Sequence, residues 1–531
     1  MPIFTSPGVY TKELDLSNLI SNLSSTTSAI VGSSPKGDAS QIRLITNTQQ
    51  FIQQYGEPVL GNFFHYSALA FLENGNQLYC LRVINGALFG GVNIKTSVSA
   101  QLNAAIATGT ASNQYVQTSG QDNLFQIYGA DQGVWNNKLG IQISEVDVVN
   151  YTFRITVLQQ DSDGNYQVVE GWTVSRKHQT DGYGNSMYLE DRINGFSSYI
   201  TVADGDALYA DTILPKVQSS TLALAQGSDG SVVGDSDIIN GWNNNFSNPD
   251  DIDVRILIGA GQTSVNVQSA MKVIAESRKD CIAIFDVPYS ATASTTATVT
   301  FRTVTQNFNS SYCALYAPWV KVYDPYNGKT VVIPPSGYVA SQFAYNDFVT
   351  QPWYAPAGLN RGLMNVLSVT PVYSQGDRDT LYASGINPLQ TFRGAGNAIW
   401  GQKTEQTKDS ALNRINVRRL FITLEKAISI SLRSFVFEPN SDVTRFRITA
   451  MVEQYLDVLS AQGAFQNELG DKGYKVVCDT TNNSPAVIDQ NELHVDVFIK
   501  PSRSAEFIQL SVIATPTGVA FQELISRGVS L

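Results

Sequence analysis

The chain holds three histidines, His65, His178 and His494. None stands in an HExxH or His-x-His spacing that would bring two ring nitrogens to one metal. A Ser–His–Asp relay wants its serine on a sharp strand-to-helix turn, and no Gly-x-Ser-x-Gly elbow occurs. His65 falls at a helix start and His494 at a strand start, positions that suit packing or surface roles. Cys80, Cys281, Cys313 and Cys478 lie far apart in apolar, strand-like contexts with no Cys-x-x-Cys pair. That pattern fits buried free thiols in a reducing compartment rather than a metal or redox centre. The loop Asp161-Ser-Asp-Gly-Asn165 imitates the opening of a calcium loop. Its glycine comes fourth instead of sixth, however, and no glutamate stands at the twelfth position.

Two glycine pairs invite a phosphate. Gly259-Ala-Gly261 follows an apolar strand and precedes a helix, but no Lys-Ser/Thr follows and the third glycine of a dinucleotide fingerprint is missing. It reads as a strand-to-helix turn. Gly394-Ala-Gly396 follows no clear strand and reads as a loop. No catalytic, cofactor-binding or metal-binding residue is therefore assigned, and no cofactor is expected. The chemistry that remains is charge. Residues 413–447 carry Arg414, Arg418, Arg419, Lys426, Arg433, Arg445 and Arg447 against three acidic residues. They read either as a solvated helix face with internal carboxylate partners or as a docking surface for an acidic partner.

These residues need elements to position them. Ser28–Gly32 is a short apolar strand, 48–55 and 63–74 are helix-like with glycine stops, and 78–84 is a strand. From 96 to about 245 the pattern changes to period-two alternation, as in Tyr151-Thr-Phe-Arg-Ile-Thr-Val157. Val254–Ile258, a helix over 265–277, and apolar runs at 281–287 and 313–322 then give strand–helix–strand spacing. Unbroken apolar runs of that kind predict a parallel sheet covered on both faces. Val417, Leu420, Leu424, Ile428, Leu432 and Phe435 make one helix face ended by Pro439. Asn440 or Ser441 caps a second helix to about Ala461, stopped by Gly463. Strands are expected at 474–478, 493–499 and 507–513.

The fold class is thus mixed α/β (α+β) and multidomain. A discontinuous α/β core (26–95 and 246–400) carries a β-rich insertion (96–245), a last unit spans 401–515, and arms occupy 1–25 and 516–531. The arms hold strand-like apolar residues without enough local partners to pack.

Composition agrees. The 531 residues are 43% hydrophobic and 10% aromatic, too apolar for a disordered chain. Charged residues are 15%, against about 25% in an average soluble protein. Low charge with many aromatics suits extensive protein–protein contact. The net charge of −11 argues against non-specific nucleic-acid binding. Nearly all of it lies before residue 401, because 401–531 holds 14 basic and 15 acidic residues. No signal peptide and no apolar run of membrane-spanning length is read.

The ordered motifs resemble the contractile tail sheath proteins of myovirus-type, T-even-like bacteriophages. They run from Pro7-Gly8-Val9-Tyr10 with Glu13, Val31-Gly32, Lys36-Gly37, Phe51, Tyr55-Gly56, Phe71-Leu-Glu-Asn-Gly75 and Arg82-Val83 to Trp353-Tyr-Ala-Pro-Ala-Gly358 and Asn360-Arg361-Gly362. They continue through Ile386-Asn387-Pro388, Trp400-Gly401-Gln402-Lys403-Thr404, Asn413-Arg-Ile-Asn-Val-Arg-Arg-Leu420, Phe437-Glu-Pro-Asn440, Val477-Cys-Asp479 and Ser504-Ala-Glu-Phe507. The stretch from 96 to 245 carries no such match.

The resemblance implies a non-enzymatic virion subunit assembled in the host bacterial cytoplasm. Its copies stack as six-membered rings around a tail tube, between baseplate and tail-terminator proteins, and contract to drive the tube through the host envelope. It implies no direct nucleic-acid contact and no membrane insertion. It also implies that the arms add strands to neighbouring subunits, with Val9, Tyr10, Glu13, Val519, Phe521 and Leu524 as contacts. The last unit would face the tube and the insertion would face outward. Arg418, Lys426, Arg433 and Arg445 are the tube-facing candidates. The alternatives are the sheath of a phage-derived bacterial injection system and, more distantly, an α/β enzyme on residues 250–400.

Overall fold

Ile256–Ile258, Ile282–Asp286 and Cys313–Ala317 are buried at every position and, apart from Asp286, apolar, so both sheet faces must be covered. They form the middle of a nine-stranded sheet in a computed structural model that describes residues 25–95, 101–102, 123–161, 163–205, 209–467 and 471–509. The arm positions Val9, Tyr10, Glu13, Val519, Phe521 and Leu524 lie outside the described residues. Strand order runs 363–364, 396–399, 386–392, 313–317, 282–286, 256–258, 28–32, 78–82, 43–45. Pairing is parallel from 386–392 through to 78–82 and antiparallel at both margins.

One face is covered by helices Thr48–Tyr55, Phe63–Phe71 and Ser336–Val349. The other is covered by Asp235–Phe246, Val265–Arg278 and Leu381 of Gln375–Ala383. Gly337 lets two helices touch backbone to backbone, since a Cβ there would fall 2.5 Å from the Ser67 carbonyl oxygen.

The parallel sheet expected from the apolar runs is present, with four differences. The 313–322 run is two strands, Cys313–Ala317 in the large sheet and Trp319–Asp324 in a three-stranded one. Pro318, with no N–H for a ladder, separates them. The β-rich unit starts sooner than 96 and its strands end by 223. Gly91–Lys95 already pairs with Asn123–Gly129, whereas Ile238, Trp242 and Phe246 recur every four residues and pack as a helix on the large sheet. Gly394-Ala-Gly396 does follow a strand, and turns Ile386–Phe392 into Gly396–Ile399. The first C-terminal helix stops at Leu432, in a tighter turn over Arg433–Phe435, before Pro439 is reached.

The β-rich unit has two four-stranded sheets around Phe125, Phe153, Ile141 and Val202. The chain enters and leaves it side by side. Asn85 bridges Gly230, Leu88 bridges Ser228, and Gly91 bridges Ala225.

In the last unit, Leu420, Leu424 and Ala427 of helix Ile415–Leu432 pack against Ile448, Val452 and Leu456 of helix Asp442–Ala461. Ser441 caps the second helix by accepting from the Thr444 N–H. Beside them lies a two-stranded antiparallel sheet, Tyr474–Val477 with Asp496–Ile499. Leu493 and Val495 pack without joining the strand. Residues 507–509 are irregular, and the rest of the expected 507–513 strand lies outside the described residues.

Candidate interface sites

The side chains that might have done chemistry are all engaged in packing or turns. His65 is buried beside Phe51 and Phe64, its Nε2 3.2 Å from the Tyr55 carbonyl oxygen. His178 stacks on Tyr188, and His494 pairs with Glu492 at the surface. The four cysteines are buried and unbridged. Asp161 accepts from the N–H groups of Asp163 and Asn165 and closes a hairpin. Among the described residues no cluster of His, Cys, Asp and Glu has a metal-holding arrangement.

The Gly259–Gly261 turn is spent internally. The Gly261 N–H donates to Asp286 Oδ2 at 2.9 Å, and Asp286 also accepts from the Ser336 N–H and hydroxyl at 2.8 and 2.6 Å. A phosphate there would meet a carboxylate already holding the amides. Gly261 is required because its φ of +76° is left-handed.

The basic residues do not form one free patch. Arg418 is buried, its guanidinium 4.1 Å from the centre of the Tyr312 ring and donating to Ser311 Oγ at 2.6 Å. Lys426 donates to Asp280 at 2.9 Å and lies 3.6 Å from Asp253. Arg445 is buried, donates to Asn440 at 2.6 Å and pairs with Asp442. Arg433 alone of the four candidates is well exposed, 3.4 Å from an equally open Asp250.

In the sequence Arg414 stands out as one of the basic run and Glu506 as part of Ser504-Ala-Glu-Phe507, with nothing that connects them. The structure joins them at 2.5 and 3.0 Å, with Tyr382 and Gln402 also donating to Glu506. Arg419 likewise holds Asp347 at 2.8 and 2.5 Å in a buried pair. Nothing in a single sequence signals a pairing across 92 residues. The excess of arginine at the helix start was the one visible trace.

Residues 232–405 match the central domain of the phage tail sheath protein, and residues 407–515 match the phage tail sheath C-terminal domain. The tail sheath protein of Enterobacteria phage T4 is 33% identical over 383 residues, 68% of this chain. The chain belongs to the phage tail sheath family. It spans 56% of the T4 protein's length. Two solved structures share the fold. The crystal structure of a sheath tail protein from Listeria innocua covers 90% of this chain and 96% of its own at a TM-score of 0.58 and 12% identity. The PVC sheath complex of an extracellular contractile injection system, in its contracted state, covers 97% and 99% at 0.55 and 17%.

The sheath chain also buries carboxyls without full compensation. Burial pushes Asp131 and Asp286 up to about 6 and Glu405 up to about 7, the last despite Arg302 beside it. Each therefore binds its proton more tightly folded than unfolded. The stability this provides is present in mild acid and lost as pH rises through 6 to 7. His65, pushed down to about 4 by burial, works the other way and weakens the fold as pH falls below about 6.5. Three carboxyls outweigh one imidazole. The unassembled subunit should unfold at a higher temperature near about pH 5.5 than near about pH 7.5, with Glu405→Gln removing the largest share. A flat or inverted profile by calorimetry would refute this.

Proposed function

We propose that the chain is the structural subunit of a contractile phage tail sheath, polymerising as stacked six-membered rings around a tail tube. On this reading it is a non-enzymatic virion component assembled in the host cytoplasm. It meets tube, baseplate and terminator proteins, and contracts to drive the tube through the host envelope. Sequence identity to the T4 tail sheath protein favours a phage tail over a bacterial injection device.

The observation that carries this is the small sheet of the last unit. Tyr474–Val477 and Asp496–Ile499 pair only with each other among the described residues, leaving both outer edges open. Two strands alone are marginal in water, and open edges are templates for another strand. Beside the Asp496–Ile499 strand runs an apolar groove lined by Leu424, Ile428, Leu432, Val495, Val497 and Ile499. An arm strand from a neighbour would complete the ladder and lay alternate apolar side chains, such as Val519 and Phe521, along it. For the tube, exposure favours Arg433, because Arg418, Lys426 and Arg445 already serve partners within the chain. The β-rich unit, attached by one pair of chain crossings, is the part that would face outward.

Deleting residues 1–16 or 517–531 should leave a folded subunit that forms no tubes in negative-stain micrographs. Normal tubes from either deletion would refute the arm reading.

A further inference from the structure

Both ends of the described chain are tied to one helix. Ser25 Oγ donates to Asp347, the carboxylate that Arg419 grips, and Arg419 Nη2 also lies 3.5 Å from the Ser25 carbonyl oxygen. At the other end Glu506 accepts from Nε and Nη2 of Arg414, from Tyr382 Oη at 2.9 Å and from Gln402 Nε2 at 3.0 Å. Gln402 also donates to Ser504 Oγ at 2.8 Å. Immediately beyond, Phe507 and Ile508 are 82% and 88% exposed. Arg414 is the first cap of helix Ile415–Leu432 and Arg419 lies in its second turn. At 1.5 Å of rise per residue the two tethers are about 7.5 Å apart along one axis.

We propose that the start of this helix is a common anchor for both arms. It fixes where, and in which direction, the residues before Ser25 and after Ile508 leave the subunit, and it joins the two as one mechanical path. A bidentate guanidinium–carboxylate pair sets direction as well as distance. An arm leaving at a fixed angle meets its neighbour without first losing orientational freedom. The helix would then give load between neighbours a second path beside the covalent one, which runs from Ser25 into strand Ser28–Gly32 of the large sheet. Arg414, Tyr382, Gln402, Glu506 and Ser25 are positioning residues in this sense. The Arg414–Glu506 pair is partly solvated, 27% and 16% exposed at the side chains, so the isolated subunit needs it little.

The inference rests on the reading of the arms as strands donated to neighbours, and the test separates the two. Full-length wild type, Glu506→Arg, the swap Arg414→Glu with Glu506→Arg, Ser25→Ala and a chain ending at residue 509 are compared. The readouts are the unfolding temperature of the subunit and the critical concentration for tube formation. Glu506→Arg should leave the unfolding temperature within a degree or so and raise the critical concentration about tenfold, the ordering cost of a freed arm. The swap should restore assembly, and Ser25→Ala should shift it in the same direction as Glu506→Arg. If Glu506→Arg lowers the unfolding temperature, Glu506→Gln carries the same comparison. Should the truncated chain fail to assemble while the Glu506 and Ser25 variants assemble as wild type, the anchor is overturned and the arm reading stands. Normal assembly of the truncated chain overturns both.

Discussion

Asp280→Ala is expected to cost about 3–5 kcal/mol and to loosen the last unit from the large sheet. Asp280 is buried at the turn after helix Val265–Arg278, where three cations converge on it. Arg278 Nε lies 2.9 Å away, Lys426 Nζ 2.9 Å and Arg255 Nη1 3.9 Å. Arg278 also donates to the carbonyls of Phe246, Asn248 and Ile252, so it pins the end of helix Asp235–Phe246. Lys426 comes from helix Ile415–Leu432. One carboxylate thus ties three segments together, and removing it takes away the carboxylate partner of buried Arg278 and leaves Arg255 and Lys426 only the half-exposed Asp253. Denaturant unfolding should show the loss. Lys426→Met, which removes one of the cations along with its interdomain tie, should cost less. A loss below about 1 kcal/mol for Asp280→Ala would mean that solvent already screens the cluster. The same geometry predicts that reversing the charge at Lys426 disturbs the subunit itself as well as any contact with a tube.

Arg176→Ala should be as costly, about 3–5 kcal/mol, but confined to the β-rich unit. Arg176 and Asp204 form an ion pair at 2.6 Å with no solvent access to either side chain. The guanidinium also donates to the carbonyls of Ala210 and Ile213 at 3.0 and 3.2 Å, holding the chain that follows strand Ile200–Asp204. Truncation takes the paired cation away from a carboxylate that has no solvent access. The unit has its own apolar core, so its opening need not drag the nine-stranded sheet with it. Limited proteolysis with mass spectrometry should find new cuts within 123–223 while peptides of 232–405 stay protected. Simultaneous digestion of both regions would show that they unfold as one.

How far the sequence led follows from the range of each interaction. Buried strands such as Cys313–Ala317 and the two C-terminal helices are written in local periodicity and caps, and they stood out. Helix Asp235–Phe246 was hidden because Asn and Asp dominate its exposed face and only Ile238, Trp242 and Phe246 mark the buried one. The basic run at 413–447 showed that charge was concentrated there. It could not show that Asp280, Asp347 and Glu506, brought by the fold from 72 to 146 positions away, would take up three of its seven cations. Periodicity reports burial; it carries no record of which carboxylate meets which guanidinium.

The adjacent entry and exit of the β-rich unit has a consequence for length. Because Asn85 and Gly230 lie bridged, whatever is strung between them begins and ends at the same spot on the core. Closing a longer or shorter segment there costs only the slow logarithmic growth of loop entropy, and leaves every strand of the large sheet in register. The junction therefore behaves as a socket. Lineages could lengthen, trim or exchange the passenger domain without renegotiating the machine beneath it, and an experimenter could use the same two residues to display a foreign domain.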